Sequence, residues 1–418
     1  MAEFSTALCN YNKSLLYVYP HLRARELPIE VMKLFKEGGL LRQEGHNPQF
    51  SNNSSSYLAK ADTPGLIIDI FVKETPHVHD EYDGALRSGG YFRRVSIPRL
   101  VDSGTLLYQY FPGRTASDVR LSYVLGGRKD GGLFEKLLEI ELVKAGDTLR
   151  AYRRSLCRLM RLYYPPKIQR FFYDRLLNDS RIRSHYGEGV ALGGQLIPLD
   201  TLLSLRWIIN GKTYPSLRHA YGESQDILNP RSAYMLSSPI AFGMGDAHNG
   251  NVMINESKTE RGAADILFID YEVAGLHPVM MDLAKPLYND LAYEILYRKL
   301  IPNANGIDLR LKYDVNLEEN TIKISFKPQV DALTQALFDI KFRYLLEPLC
   351  DHLQYIGVIP DNHVPVLSTA LFLCATLGIS FANNEEAFVA NFAAGQILRG
   401  PQTWRELLSG LEELGFTH

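Results

Sequence analysis

The chain has 418 residues, 46% of them hydrophobic and 22% charged, which is the balance of a soluble globular protein with ample material for a core. A formal net charge of −2 excludes any global attraction to nucleic acid or to an anionic membrane. The length exceeds one ordinary domain and suits two lobes, or one domain with large insertions. Cys9, Cys157, Cys350 and Cys374 are scattered and form no CxxC pair, which excludes a disulfide frame or zinc site and predicts reduced thiols in a cytoplasmic protein.

In chain order, the first ~45 residues read as helical, with Ile29, Met32, Leu34 and Phe35 on one face before a stop at Gly38-Gly39. A strand-rich zone follows. Gln49-Phe50 and Tyr57-Leu58-Ala59 flank a polar turn, Ser51 to Ser56. Leu66 to Lys73 is apolar and β-branched up to its terminal lysine. A helix is expected from Val78 to Ser88, ended by Gly89-Gly90. Two more strands, Arg99 to Val101 and Leu106 to Phe111, close at Pro112-Gly113. This places a small β-rich lobe at 1–112 and a mainly helical lobe at 113–418.

Within 113–418, Leu133 to Tyr164 is a long periodic stretch, with an interruption expected near Gly146 and an end at Pro165-Pro166. Arg150, Arg153, Arg154, Arg158 and Arg161 lie on one face of it, and Leu149, Leu156, Leu159 and Tyr163 on the other; the plain reading is a solvated face. Leu309 to Phe326 reads as an inserted β-hairpin around Asn316 to Asn320. Val330 to Leu414 reads as helical. The apolar run Val364 to Phe381 contains Pro365, Ser368, Thr369, Thr376 and Ser380 and lacks basic flanks, so a buried helix is expected there and not a membrane span. The fold class is therefore α+β, with a ligand cleft expected between two lobes.

Chemistry concentrates in Gly245-Asp246-Ala247-His248-Asn249-Gly250-Asn251, followed by Ile266-Leu267-Phe268-Ile269-Asp270-Tyr271-Glu272. An Asp before Asn249-Gly250 is, alone, a common turn signal. Here Asn251 follows, then two short apolar strands, Val252-Met253-Ile254 and Ile266 to Ile269, the second presenting Asp270 at its end. Antiparallel pairing brings Asn251 and Asp270 to neighbouring positions. Asp246 can accept the proton of an attacking hydroxyl, while Asn251 and Asp270 can hold Mg²⁺ against a nucleotide's phosphates.

These segments resemble the aminoglycoside phosphotransferase and choline kinase family, which shares the protein-kinase fold. Gly-Asp-x-His-x-x-Asn followed by Ile-Asp-Tyr-Glu carries the resemblance over about 40 residues, and Gly275-Leu276-His277-Pro278 through Met281-Asp282-Leu283-Ala284 is similar to that family's downstream pattern. The resemblance implies a two-lobed protein-kinase-like fold with a small antiparallel sheet and one helix in the first lobe. It also implies a phosphotransferase moving the γ-phosphate of ATP to a small-molecule hydroxyl. By it Asp246 is the catalytic base, Asn251 and Asp270 hold Mg²⁺, Lys73 contacts the α/β-phosphates, and Glu81 pairs with Lys73. Glu74 is set aside, because strand alternation points it away from Lys73. The segment from Leu107 to Gly113, with Gln109, Tyr110 and Phe111, resembles the hinge that reads the adenine edge. The polar turn with Ser54 and Ser55 falls where the phosphate-covering loop belongs. His248 matches a loop-supporting histidine. Met244 is a departure, since the family has His-Gly-Asp where this chain has Met244-Gly245-Asp246.

The alternative reading is a catalytically weak kinase-fold protein that binds nucleotide for regulation. A protein kinase fits less well, because Asp270 is followed by Tyr271-Glu272 and no Ala-Pro-Glu segment comes after it. The acceptor is unread: Arg170, Arg175, Arg181 and Arg183 suggest an anionic one, whereas Glu135, Glu139, Glu141, Glu385 and Glu386 suggest a cationic one. No nucleic acid or membrane partner is expected, and no oligomeric state is implied.

Overall fold

The computed structural model describes residues 27, 31, 35, 36, 41, 42, 55–63, 66–157, 166–255, 265–301 and 305–417. Ser54 and most of the polar turn lie outside them, as do Ile29, Met32 and Leu34 of the expected first helix and Arg158, Leu159, Arg161 and Tyr163 of the arginine-rich stretch. The chain forms two compact units, Met1–Ala116 with Phe242–Gly275, and Ser117–Ala241 with Leu276–His418. Both combine helices with small sheets, so the class is α+β.

The first unit is built on a five-stranded antiparallel sheet of β1 (Leu41–Arg42), β2 (Ser55–Thr63), β3 (Leu66–Glu74), β4 (Arg99–Leu100) and β5 (Thr105–Gln109), in the order β1-β2-β3-β5-β4. Side chains alternate along a strand, and β3 shows the consequence. Ile68, Ile70 and Val72 join Leu27, Val31, Ala59, Ala61 and Leu107 in a dry cluster on one face. Each Val, Leu or Ile side chain among them stabilises the fold by roughly 1.5–3 kcal/mol on burial. Phe71 and Lys73 are thereby turned to the opposite face. Helix α1 (Val78–Ser88) follows β3 after a three-residue turn, within the limits read from the sequence. Ser55 and Ser56, read as part of a polar turn, belong to β2 instead. They pair with Glu74 and Lys73, so the far end of β3 finds its hydrogen-bond partners in them. A second, three-stranded antiparallel sheet joins Arg114–Thr115, Val252–Ile254 and Ile266–Phe268.

The second unit is mainly helical. Helix α2 (Gly131–Ser155) is capped by Asp130, whose Oδ1 accepts the Leu133 N–H at 3.0 Å. It runs through Gly146 without the expected interruption. Glycine costs only about 1 kcal/mol against alanine in a helix, and its neighbours Lys144, Ala145 and Asp147 are buried on the face that docks. The helix also ends earlier than expected, at Ser155, because Cys157 leaves it to exchange backbone hydrogen bonds with Ile240 at 2.8 and 3.1 Å. The hairpin read at 309–326 is present as Lys312–Asn316 and Thr321–Ser325. Its second strand pairs in parallel with Arg206–Ile209, making a four-stranded sheet. Val364–Leu377 is a helix buried along its entire length. Among the described residues no single helix is long and apolar enough to cross a membrane.

Candidate active site

Lys73 reaches the site through the alternation of β3. Its Nζ donates to Glu81 Oε2 at 2.9 Å and to Asp270 Oδ1 at 3.1 Å. Glu74, one residue on, is exposed on the other side of the strand. Glu81 arrives because the turn Thr75–His77 is short and α1 starts at once, which puts Glu81 in its first turn, over the strand it has just left. There it is 1% exposed. The approach of α1 is set by Gly84: a Cβ on it would lie 1.9 Å from the Tyr271 carbonyl oxygen. Only glycine permits that contact.

Burial disfavours the Lys73 ammonium, but Glu81 and Asp270 outweigh it and hold the lysine pKa above its ordinary value. Burial likewise pushes the Glu81 carboxyl up, against the pull of Lys73. Two carboxylates facing one ammonium keep Lys73 charged.

The segment after Met244 is a tight loop. Gly245 has φ of +75°, and a Cβ there would meet Val273 at 2.8–2.9 Å, so the turn requires glycine. Asp246 follows and is 8% exposed. His248 accepts the Gly250 N–H on Nδ1 at 3.0 Å, and its Nε2 lies 3.3 Å from Asp246 Oδ1. Asn251 Nδ2 donates to the Asp246 carbonyl at 3.0 Å, which leaves Oδ1 as the acceptor end of that amide. The Ile269 N–H bonds the Asn251 carbonyl at 3.0 Å, continuing the pairing of Val252 with Phe268. Asn251 and Asp270 are thus carried on neighbouring strand ends. Asp270 adopts φ of +65°, a conformation rare for residues other than glycine.

A small, partly open cleft of about 80 Å³ lies beside these residues. Lys73, Glu81, Gln109, Tyr110, Phe111 and Asp270 line it. Asp246 and Asn251 are not on its wall, whereas Ser56 is. The Tyr110 N–H is committed to the Asp69 carbonyl at 3.0 Å, which removes it as a donor to a bound base.

Two tyrosines, Tyr108 and Tyr271, take a part that the motifs containing them did not assign. Tyr108 donates to Glu81 Oε1 at 2.6 Å, and its ring stacks on Tyr271 with centroids 6.5 Å apart. The hydroxyl of Tyr271 donates to the Phe268 carbonyl and accepts the Ser96 N–H at 2.9 Å. The alternation of Leu107 and Tyr108 in β5 was the available signal, but it acquires meaning only from the register that sets Tyr108 opposite Phe71.

Among the described residues no three His, Cys, Asp or Glu side chains converge to hold a metal by themselves. The hard oxygens of Asn251 and Asp270 suit Mg²⁺ if phosphate and water complete its shell. The acidic residues that suggested a cationic acceptor are largely engaged elsewhere. Glu141 pairs with Lys341 at 2.6 Å, and Glu386 with Arg298 at 3.2 Å. On the basic side, Arg175 donates to the Leu377 carbonyl at 3.0 Å.

No family model and no curated protein matches the chain. The solved structures to which it is similar include small-molecule kinases. The ethanolamine kinase of Plasmodium vivax is 12% identical, with a TM-score of 0.40 over 90% of this chain and 80% of that one. A microcompartment-associated aminopropanol kinase is 10% identical, with a TM-score of 0.38 over 93% and 94%. A spectinomycin phosphotransferase, solved with ADP and spectinomycin, is 11% identical, with a TM-score of 0.34 over 92% and 98%. At these values the likenesses carry no part of the reasoning below.

Proposed function

We propose that this protein is an ATP-dependent phosphotransferase of protein-kinase-like, two-lobed fold, transferring the γ-phosphate to a hydroxyl of a small-molecule acceptor. The observation that carries the reading is the Lys73 ammonium held between Glu81 and Asp270 on the wall of a cleft. A buried lysine aimed by one carboxylate at a second, partly exposed one is a poor stabilising device, since desolvation consumes much of the attraction. It is a sensible way to hold phosphate oxygens and a metal.

In this reading Lys73 binds the α/β-phosphates, while Glu81 keeps its ammonium in place. Gln109, Tyr110 and Phe111 border the base. Asp246, oriented by His248, takes the proton of the acceptor hydroxyl, and Asn251 and Asp270 hold Mg²⁺. That ion, when bound, neutralises charge on the β- and γ-phosphate oxygens. The work of the chain itself is positioning and electrostatics, the larger part of any phosphoryl transfer.

The test has two arms. Titration with ADP, with and without Mg²⁺, should give metal-dependent binding. A metabolite extract incubated with ATP and the protein should yield, by mass spectrometry, one species heavier by a phosphoryl group. Absence of nucleotide binding would sink the reading; metal-dependent binding without turnover on a broad acceptor panel would favour a nucleotide-sensing protein.

A further inference from the structure

We propose that Tyr108 is a positioning residue of this site: its phenol fixes the Glu81 carboxylate toward Lys73, so that the pair stands assembled before any nucleotide arrives. The inference rests on the nucleotide reading above and adds to it a residue outside the set Lys73, Glu81, Asp246, Asn251 and Asp270.

Glu81 has two oxygens and a different partner on each. Lys73 donates to Oε2 at 2.9 Å, and Tyr108 donates to Oε1 at 2.6 Å. A carboxylate held on one oxygen can swing about its terminal torsion, which is soft. Held on both, it cannot. Water is no substitute, since Glu81 is 1% exposed and Tyr108 7%. Tyr108 is placed for this by register: it lies opposite Phe71, two residues from Lys73, and so on the same face of the sheet.

The contacts then close into a ring. Tyr108 stacks on Tyr271, Tyr271 is pinned to Phe268 and Ser96, and Asp270, its neighbour in sequence, returns to Lys73. Helix α1 is tied into the same ring through Gly84, whose Cα rests against the Tyr271 carbonyl. Without the phenol, Glu81 Oε1 would be buried without its donor. Lys73 would lose its better-fixed partner and rely on Asp270, the carboxylate that the metal needs. The hydrogen bond from Tyr108 also lowers the proton affinity of Glu81, which burial raises.

A double-mutant cycle on MgADP binding, measured by calorimetry, tests this without knowledge of the acceptor. Tyr108→Phe keeps the ring and its stacking and removes only the hydroxyl. It should weaken MgADP by roughly tenfold, the order for a hydrogen bond to a charged group. Its acid limb should move to higher pH, because Glu81 takes up a proton sooner. In a Glu81→Gln background the same change should add less than about twofold. Equal effects in both backgrounds, or an unmoved pH limb, would overturn the role of Tyr108 and leave the nucleotide reading standing. A wild-type protein that binds no MgADP would overturn both. Tyr108→Leu, which removes ring and hydroxyl together, separates packing from positioning: a pure packing role predicts that it lowers the thermal midpoint while Tyr108→Phe stays at wild-type affinity.

Discussion

Lys73 Nζ lies 3.1 Å from Asp270 Oδ1, which ties the end of one strand to a residue 197 positions further along the chain. The contact sits within the first compact unit, because residues 242–275 return to it. It joins the group proposed to hold phosphate to the group proposed to hold metal, so one charge network would sense both parts of a metal–nucleotide complex. Four expected outcomes follow from this geometry and from the fold around it.

Replacing Asp246 by Asn should lower turnover by about 10²–10⁴-fold, the usual contribution of a positioned base. MgADP affinity should change little, since Asp246 is not on the wall of the cleft. Steady-state kinetics on the acceptor found in the extract screen, with calorimetry on the same protein, gives both numbers. Retained turnover would remove Asp246 from the base role.

Replacing Asp270 by Asn should erase most of the Mg²⁺ dependence of ADP binding, a loss of roughly 10–100-fold at saturating metal. Metal-free ADP binding should survive, because Lys73 keeps Glu81 as its partner. Titrations at zero and millimolar Mg²⁺ read the difference. An unchanged metal dependence would move the ion elsewhere.

Gly84→Ala should destabilise the protein in spite of alanine's better helix propensity. The added methyl would meet a backbone oxygen at 1.9 Å, and backbone cannot step aside as a flexible side chain can. Overpacking of this kind costs about 1–3 kcal/mol, against a propensity gain of about 1 kcal/mol. Urea unfolding should show a lower midpoint with an unchanged slope. A midpoint at or above wild type would mean that α1 is free to shift.

Acid should weaken the second unit through His185. Burial, reinforced by the charges of Arg181 and Arg175, lowers its pKa from 6.5 to about 4. The unfolded chain therefore takes up a proton that the folded one refuses. Stability from this source is complete above pH 6.5, falls as the pH drops from 6.5 toward about 4, and changes no further below that. His185→Gln should flatten the stability profile over that window in urea titrations from pH 4 to 7. Parallel profiles for the two proteins would exclude the histidine as the cause.

Much of this was legible in the residues. The run Leu66 to Lys73 announces a strand, and period-two alternation alone separates Lys73 from Glu74. The limits of α1 follow from its apolar spacing and from Gly89-Gly90. The loop around Asp246 is forced by glycines and small polar residues that suit no regular element. These are properties of backbone geometry over a few residues, so a local reading can reach them.

What lay beyond that reading has a common cause. Gly146 looked like a break because helix propensity is local, yet the buried neighbours Lys144 and Ala145 hold α2 straight through it. Glu141 looked like a recognition residue until Lys341 and Lys144 were found beside it. Ser55 looked like turn until β3 supplied a partner for it. Tyr108 became part of the site through the register of β5 on β3 together with the depth to which Gly84 lets α1 descend. Local sequence thus selected the elements and the chemistry they can present. Packing between distant segments selected which of those groups meet, because a contact such as Lys73 with Asp270 depends on register, crossing and approach distance, none of which is written in any short stretch of chain.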